Sequence, residues 1–282
     1  MKTVYRFLLI AVTAIALNIL QTLPLWGQTP NPPPPTAALG TATSGTYESV
    51  ACGVLVTSPF GAPGTPFPQG ATEGTDYECG YLTVPELHAQ PDGNTIQVGI
   101  VILKSLQPNP AEPLVMFQGG PGGSSIDIFA GMFANATYDE RTEALLQNSD
   151  NEVTQRVRAR AGAALAQLLR RDRDLIIFEK RGNRYSKPEL TCARDNGTAV
   201  PNDELEALRE CRDRLTAKGI NLAAYNSVES ARDVAALIDT LGYDQVNLYG
   251  VSYGTTLVQH IMRLYPNRIR SIILDGIVPR SA

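Results

Sequence analysis

The hydrophobic pattern of the chain alternates between two periods. Unbroken apolar runs occur at Leu114 to Phe117 and at Leu175 to Phe178; Val246 to Tyr249, interrupted by Asn247, and Ile269 to Leu274, interrupted by Arg270 and Ser271, are read as two further short buried strands. Runs of this length without polar alternation predict strands buried on both faces. Earlier in the chain, Tyr77 to Val84 and Thr95 to Lys104 alternate in part, and Pro91-Asp92-Gly93-Asn94 between them signals a turn. That pair predicts a hairpin. Helical spacing covers the charged segment Asp203 to Lys218, stopped by Gly219, and Tyr253 to Tyr265, ended by Pro266. Between them Asn226 caps a helix that buries Val228, Ala231, Val234, Leu237 and Leu241 and stops at Gly242. Glu229, three residues after the cap, predicts a capping box. Strands alternating with helices predict an α/β fold, a mostly parallel sheet with helices on both faces.

The ends and loops add context. Lys2 and Arg6 precede an apolar run from Phe7 to Leu20, with a cleavage point at Gly27-Gln28. Residues 1–27 therefore read as a secretory signal, the alternative being an uncleaved anchor, since about 20 apolar residues can span a bilayer. Residues 28–46, with Pro32 to Pro35 consecutive, read as a polyproline or flexible spacer, and 47–282 as the folded domain;. Phe60 to Gly74 is a second Pro/Gly-rich loop. The segment 126–171 is the least legible, with helical spacing only at Val157, Leu165, Leu168 and Leu169. Asn135 and Asn196 begin sequons, meaningful only in a eukaryotic secretory pathway;. The four cysteines form no CxxC pair and have no nearby histidine. In an exported chain they predict disulfides rather than a metal site or free thiols. Cys52–Cys79 and Cys192–Cys211 are favoured because each closes a short local loop. A net charge of -4 leaves no electrostatic footprint for nucleic acid or an anionic membrane;.

One stretch carries chemistry. Gly250-Val251-Ser252-Tyr253-Gly254 fits G-x-S-x-G between a strand and a helix. A nucleophilic serine needs a sharp turn at the carboxyl end of a strand, and flanking glycines let strand and helix pass closely. A second candidate is Gln118-Gly119-Gly120-Pro121-Gly122-Gly123, directly after a buried strand. Such a turn presents bare backbone N–H groups to an oxyanion. It lacks the lysine of a P-loop and the spacing of a dinucleotide fingerprint. His88, in the hairpin connection, reads as a solvated loop residue.

These motifs together resemble the secreted proline-iminopeptidase and tripeptidyl-aminopeptidase group of α/β-hydrolases. The resemblance rests on Gly119 to Gly122, Arg181-Gly182, Gly250 to Gly254 and Leu274-Asp275-Gly276. Cys79 to Pro85 and Tyr225 to Asp233 also fit, so the likeness covers roughly residues 48–280. It implies Ser252 as nucleophile and an oxyanion hole made by the backbone N–H groups of Tyr253 and Gly120. Glu179 and Arg181 are expected to brace loops, and no cofactor or metal is implied. Two positions depart from the family pattern. Gln118 stands where a histidine is usual, and Glu179 to Arg184 replaces Asp-Gln-Arg-Gly-x-Gly, losing its last glycine.

Part of the machinery is missing from the sequence. The fold supplies its acid and histidine after the nucleophile, yet only His260 follows Ser252. It sits eight residues along the same helix, about 12 Å away at 1.5 Å per residue. Asp275 is expected to have a structural role, since the family's acid comes one strand later. The expectation is therefore an N-terminal portion of a hydrolase, without the last strands and lid, from a truncated frame, a split gene or a degenerate remnant. The partner expected is a peptide or small ester substrate, joined in the split-gene case by a separately encoded C-terminal half. The functional expectation is a serine aminopeptidase acting on peptides outside the cytoplasm. An ester hydrolase, or a non-catalytic binding module of the same fold, are the alternatives. A dinucleotide-binding protein is disfavoured.

Overall fold

A computed structural model describes residues 45–55, 71–130, 165–193 and 203–279. The export segment, the spacer up to residue 44, both sequons and Val157 lie outside them. Seven strands form one sheet among the described residues. They are β1 (Thr46–Val50), β2 (Tyr77–Pro85), β3 (Thr95–Leu103), β4 (Ala111–Phe117), β5 (Arg173–Phe178), β6 (Val246–Val251) and β7 (Ile269–Asp275). Their spatial order is β1-β2-β3-β5-β4-β6-β7. Strands β5, β4, β6 and β7 pair in parallel, while β1 to β3 join antiparallel, so the N-terminal hairpin makes the sheet mixed. The helices are α1 (Cys52–Leu55), α2 (Glu204–Ala217), α3 (Ser227–Thr240) and α4 (Tyr253–Leu264). β1 and α1 carried no clear signal in the sequence.

Both faces of the central strands are buried. Val115, Phe117, Ile176 and Phe178 point into one core with Ala231 and Val234 of α3 and Leu257 and Val258 of α4. Leu114, Met116, Leu175 and Ile177 point into a second core with Leu55, Ile126 and Phe129. Two buried faces explain why β4 and β5 read as unbroken apolar runs. The expectation of a buried strand at Ile269 to Leu274 is corrected at the other limit: β7 is an edge strand among the described residues, none of its residues is buried and Ile273 is 54% exposed, because no described neighbour covers it there;.

Both expected disulfides are present, Cys52–Cys79 with Cα atoms 5.0 Å apart and Cys192–Cys211 with 5.2 Å. The first ties α1 to β2, and the second ties the loop after β5 to α2. No helix among the described residues is long and apolar enough to cross a membrane.

Two further expectations need correction, and both corrections concern the same buried network. His88 is not a solvated loop residue; it is buried, and its Nε2 lies 2.8 Å from Asp233 Oδ1. The capping box at α3 is only half made. Asn226 accepts from the N–H groups of Val228 and Glu229. Glu229 instead turns inward, accepting the His88 N–H at 2.9 Å and an N–H of Arg232. At the centre lies Arg181. Its guanidinium donates to both Asp233 oxygens, at 2.7 and 2.5 Å, and to the carbonyls of Glu86 and Ala224 at 2.5 and 2.9 Å. The planar fork meets a carboxylate edge-on, a geometry that an ammonium cannot reproduce. The charges thereby join the hairpin turn, the loop after β5 and α3.

Both side chains of the Arg181–Asp233 pair are almost fully buried. Removing one partner leaves the other charge buried and uncompensated, which costs about 3–5 kcal/mol. Arg181→Met should therefore lower the urea unfolding free energy by about that amount, and Arg181→Lys should recover only a fraction. A loss under about 1 kcal/mol in Arg181→Met would show that the network does not hold these elements.

Candidate active site

β6 ends at Val251 and α4 begins at Tyr253, so Ser252 alone forms the turn between them. Its φ of 52° and ψ of -121° make it the one non-glycine residue with positive φ among those described. Such a conformation costs on the order of 1–3 kcal/mol and persists only where the surroundings impose it. The imposing contacts are visible. The Ser252 N–H donates to the Asp275 carbonyl at 2.8 Å. The Ser252 carbonyl accepts from Thr255 N–H at 2.9 Å and from its Oγ1 at 2.6 Å. Thr255 Oγ1 in turn accepts the Val278 N–H at 2.9 Å. The end of β7 is thus stitched to the turn, and Ser252 stays exposed.

The flanking glycines are required by distance. A Cβ on Gly250 would stand 2.6 Å from the Gly254 carbonyl oxygen. A Cβ on Gly254 would stand 2.4 Å from the Phe117 carbonyl oxygen of β4. Helix, turn and neighbouring strand are therefore in backbone contact, which brings the loop after β4 against the serine. A Cβ on Gly119 would meet Ser252 Cβ at 2.8 Å and its Oγ at 3.2 Å. Gly120 adopts φ +113°, and a side chain there would strike the Gly123 amide at 2.6 Å. Among the described residues, the amide N–H groups of Gly120 and Tyr253 donate no hydrogen bond. One unspent donor thus lies on the peptide that follows Ser252, and the other on the peptide that follows Gly119, the residue that abuts the serine.

The glycine loop is braced from β5. Lys180 Nζ donates to the carbonyls of Gln118 at 2.6 Å, Gly123 at 3.0 Å and Gly119 at 3.5 Å. Asn183 donates to Gly123 O at 2.9 Å and to Glu179 at 2.9 Å. The Glu179 carboxylate also accepts from Ser124 Oγ at 2.6 Å and from the Ile126 N–H at 3.3 Å. Burial pushes the Glu179 carboxyl above its ordinary range, and the donors from Ser124 and Asn183 pull it back;. Burial also brings Lys180 down to about 8, opposed by Glu179. A cavity of about 420 Å³ adjoins the loop, bounded by Pro121, Gly122, Arg184, Glu189, Tyr225 and Tyr253.

The remaining candidates lie away from the serine or serve other contacts. His88 is locked onto Asp233. His260 is half-buried on α4, two turns past Ser252. Asp275 is exposed and accepts Tyr249 OH at 3.0 Å, the structural part expected of it. Among the described residues no cluster of His, Cys, Asp and Glu could hold a metal ion. Lys180 and Thr255 escaped notice in the sequence. The available signal was a lysine in a loop between buried segments, and a threonine directly after the elbow.

A sequence model of the alpha/beta hydrolase fold matches residues 112–282. The chain belongs to the α/β-hydrolase family. Within that family, serine protease Hip1 of Mycobacterium tuberculosis (strain ATCC 25618 / H37Rv) is 26% identical over 222 residues, 72% of this chain and 36% of that protein. Tripeptidyl aminopeptidase of Streptomyces lividans is 25% identical over 220 residues, 71% of this chain and 35% of that protein. The chain thus spans about a third of the length of the curated relatives it matches. Among solved structures, an alpha/beta hydrolase from Novosphingobium aromaticivorans DSM 12444 aligns over 71% of this chain and 44% of that one, at 16% identity and TM-score 0.33.

The close approach of Gly254 to β4 generates a direct prediction. Gly254→Ala forces strand and helix apart and should cost about 1–3 kcal/mol or more in chemical denaturation. Gly53→Ala, where a Cβ meets nothing within 4 Å, should stay within about 0.5 kcal/mol. Equal effects at the two sites would contradict the packing account.

Proposed function

We propose that this chain carries the nucleophile and oxyanion-hole half of a serine hydrolase of the peptidase type, acting on peptides outside the cytoplasm. One observation carries the reading. Ser252 is held exposed in a strained turn, with the glycine loop in contact with it and the Gly120 and Tyr253 amides unspent. In the reaction, Ser252 Oγ attacks the carbonyl carbon and its proton passes to a base. The carbonyl oxygen becomes an oxyanion that accepts from the two amides, each worth roughly 3–4 kcal/mol in the transition state. Collapse expels the amine, protonated by the same base, and leaves an acyl-enzyme that water hydrolyses. We assign the base and its orienting acid to polypeptide other than the residues of this sequence, whose two histidines, His88 and His260, are placed elsewhere. The named activities of the two relatives support amide substrates and the release of N-terminal peptides. The disulfides support an oxidising location;.

An elbow of this kind does not separate amides from esters, so an ester hydrolase is the same-chemistry alternative. A non-catalytic binding module is favoured by one observation, the placement of both histidines away from Ser252 in other contacts. Turnover of a tripeptidyl-aminomethylcoumarin and of a p-nitrophenyl acyl ester separates the three readings. The chain is assayed alone and with a companion polypeptide supplying Asp and His. The expected result is amide hydrolysis only with the companion, lost by a factor on the order of 10³ or more in Ser252→Ala. Ester turnover alone would establish the esterase. The absence of any Ser252-dependent turnover would leave the binding module.

A further inference from the structure

We infer that Lys180 is a positioning residue for the oxyanion hole: its ammonium clamps the glycine loop and aims the Gly120 N–H toward Ser252. The inference rests on the hydrolase reading for the step it serves, and on geometry for the clamp itself. The three donors of the ammonium meet three carbonyls, those of Gln118, Gly119 and Gly123, on either side of the Gly120–Gly122 turn. The side chain is buried, so the bonds are shielded from water;. The Gly119 carbonyl and the Gly120 N–H belong to one planar peptide and point in opposite directions. Holding that carbonyl on Lys180 therefore turns the Gly120 N–H away from the lysine. Gly119 itself abuts Ser252. An ammonium on these carbonyls also polarises their peptides, which strengthens their N–H groups as donors to an oxyanion.

Lys180 is not a substitute base. All three of its N–H bonds are committed to carbonyls, which leaves no lone pair directed at the serine. Glu179, next in the chain, is the carboxylate that favours its charged form. Arg181, Arg184, Glu189, Tyr225 and Tyr253 line the same cavity, and Asp127 pairs with Arg184 at 3.6 Å. Burial lowers Lys180 to about 8. Below that pH the clamp is an ammonium. Above it the neutral amine has one donor fewer and no charge to set against the oxyanion. Reactivity of Ser252 should thus fall as pH rises through about 8.

The test measures phosphonylation of Ser252 by a fluorophosphonate probe, together with amide hydrogen exchange. In the labelling step the Oγ–P bond forms, fluoride leaves and the Oγ proton passes to the base or to water. The protein is used with whatever companion polypeptide restores turnover. Lys180→Met should lower protection at residues 118–124 roughly tenfold while α3 stays unchanged. The same variant should slow labelling roughly tenfold or more. In the wild type the labelling rate should decline above pH 8, and in Lys180→Arg, which keeps its charge, that decline should be absent. Unchanged loop protection in Lys180→Met, or the same alkaline decline in Lys180→Arg, overturns the inference. Should Lys180→Met not fold, the two pH profiles decide alone. Loss of loop protection in Lys180→Met without labelling of Ser252 in any form keeps the clamp and overturns the hydrolase reading.

Discussion

The structure depends on one close approach, the passage of α4 across the backbone of β4 at Gly254. Atoms there are so near that a single Cβ would stand 2.4 Å from the Phe117 carbonyl oxygen. Because helix and strand touch, the loop leaving β4 has nowhere to go except over the turn leaving β6. That contact places Gly119, and with it the peptide that carries the Gly120 N–H, against Ser252. The strain at Ser252 follows from the same constraint. A tight turn between a parallel strand and a helix in contact with its neighbour forces positive φ on its central residue, and hydrogen bonds from Thr255 and to Asp275 hold it there;.

A second layer of polar contacts keeps the loops in place. The sequence Glu179-Lys180-Arg181 follows β5, and each side chain takes a different task. Glu179 gathers donors from Ser124, Ile126 and Asn183. Lys180 holds the carbonyls of the glycine loop. Arg181 turns the other way and joins the hairpin to α3 through Asp233. Three consecutive charges in a buried loop would be costly if unpaired. Here each is met by hydrogen bonds, so the strain of the elbow is supported by a rigid surround.

Much of this was legible in the chain. Unbroken apolar runs marked β4 and β5, because strands covered on both faces need no polar alternation;. Glycine and proline punctuation marked the helix ends, and local spacing marked both disulfides. The serine and its glycines were legible because close backbone approach admits few residue types. Contacts that depend on tertiary meeting were not legible. His88 looked like a loop histidine because its partner Asp233 lies 145 residues away. Glu229 looked like half of a capping box, a local role, until the hairpin supplied a different donor. β1 was missed because Thr46 to Val50 contains no apolar run, and α1 because four residues are about one helical turn and show no period, its place being secured through Cys52;.

The most direct test of the central claim is a crystal structure of the chain, with any companion polypeptide, after reaction with a fluorophosphonate. The account predicts a phosphonyl adduct on Ser252 Oγ, with one phosphoryl oxygen about 3 Å from both the Gly120 and the Tyr253 nitrogen. An adduct on Ser252 whose oxygen faces away from these amides, or an adduct on another residue with Ser252 unmodified, would contradict it.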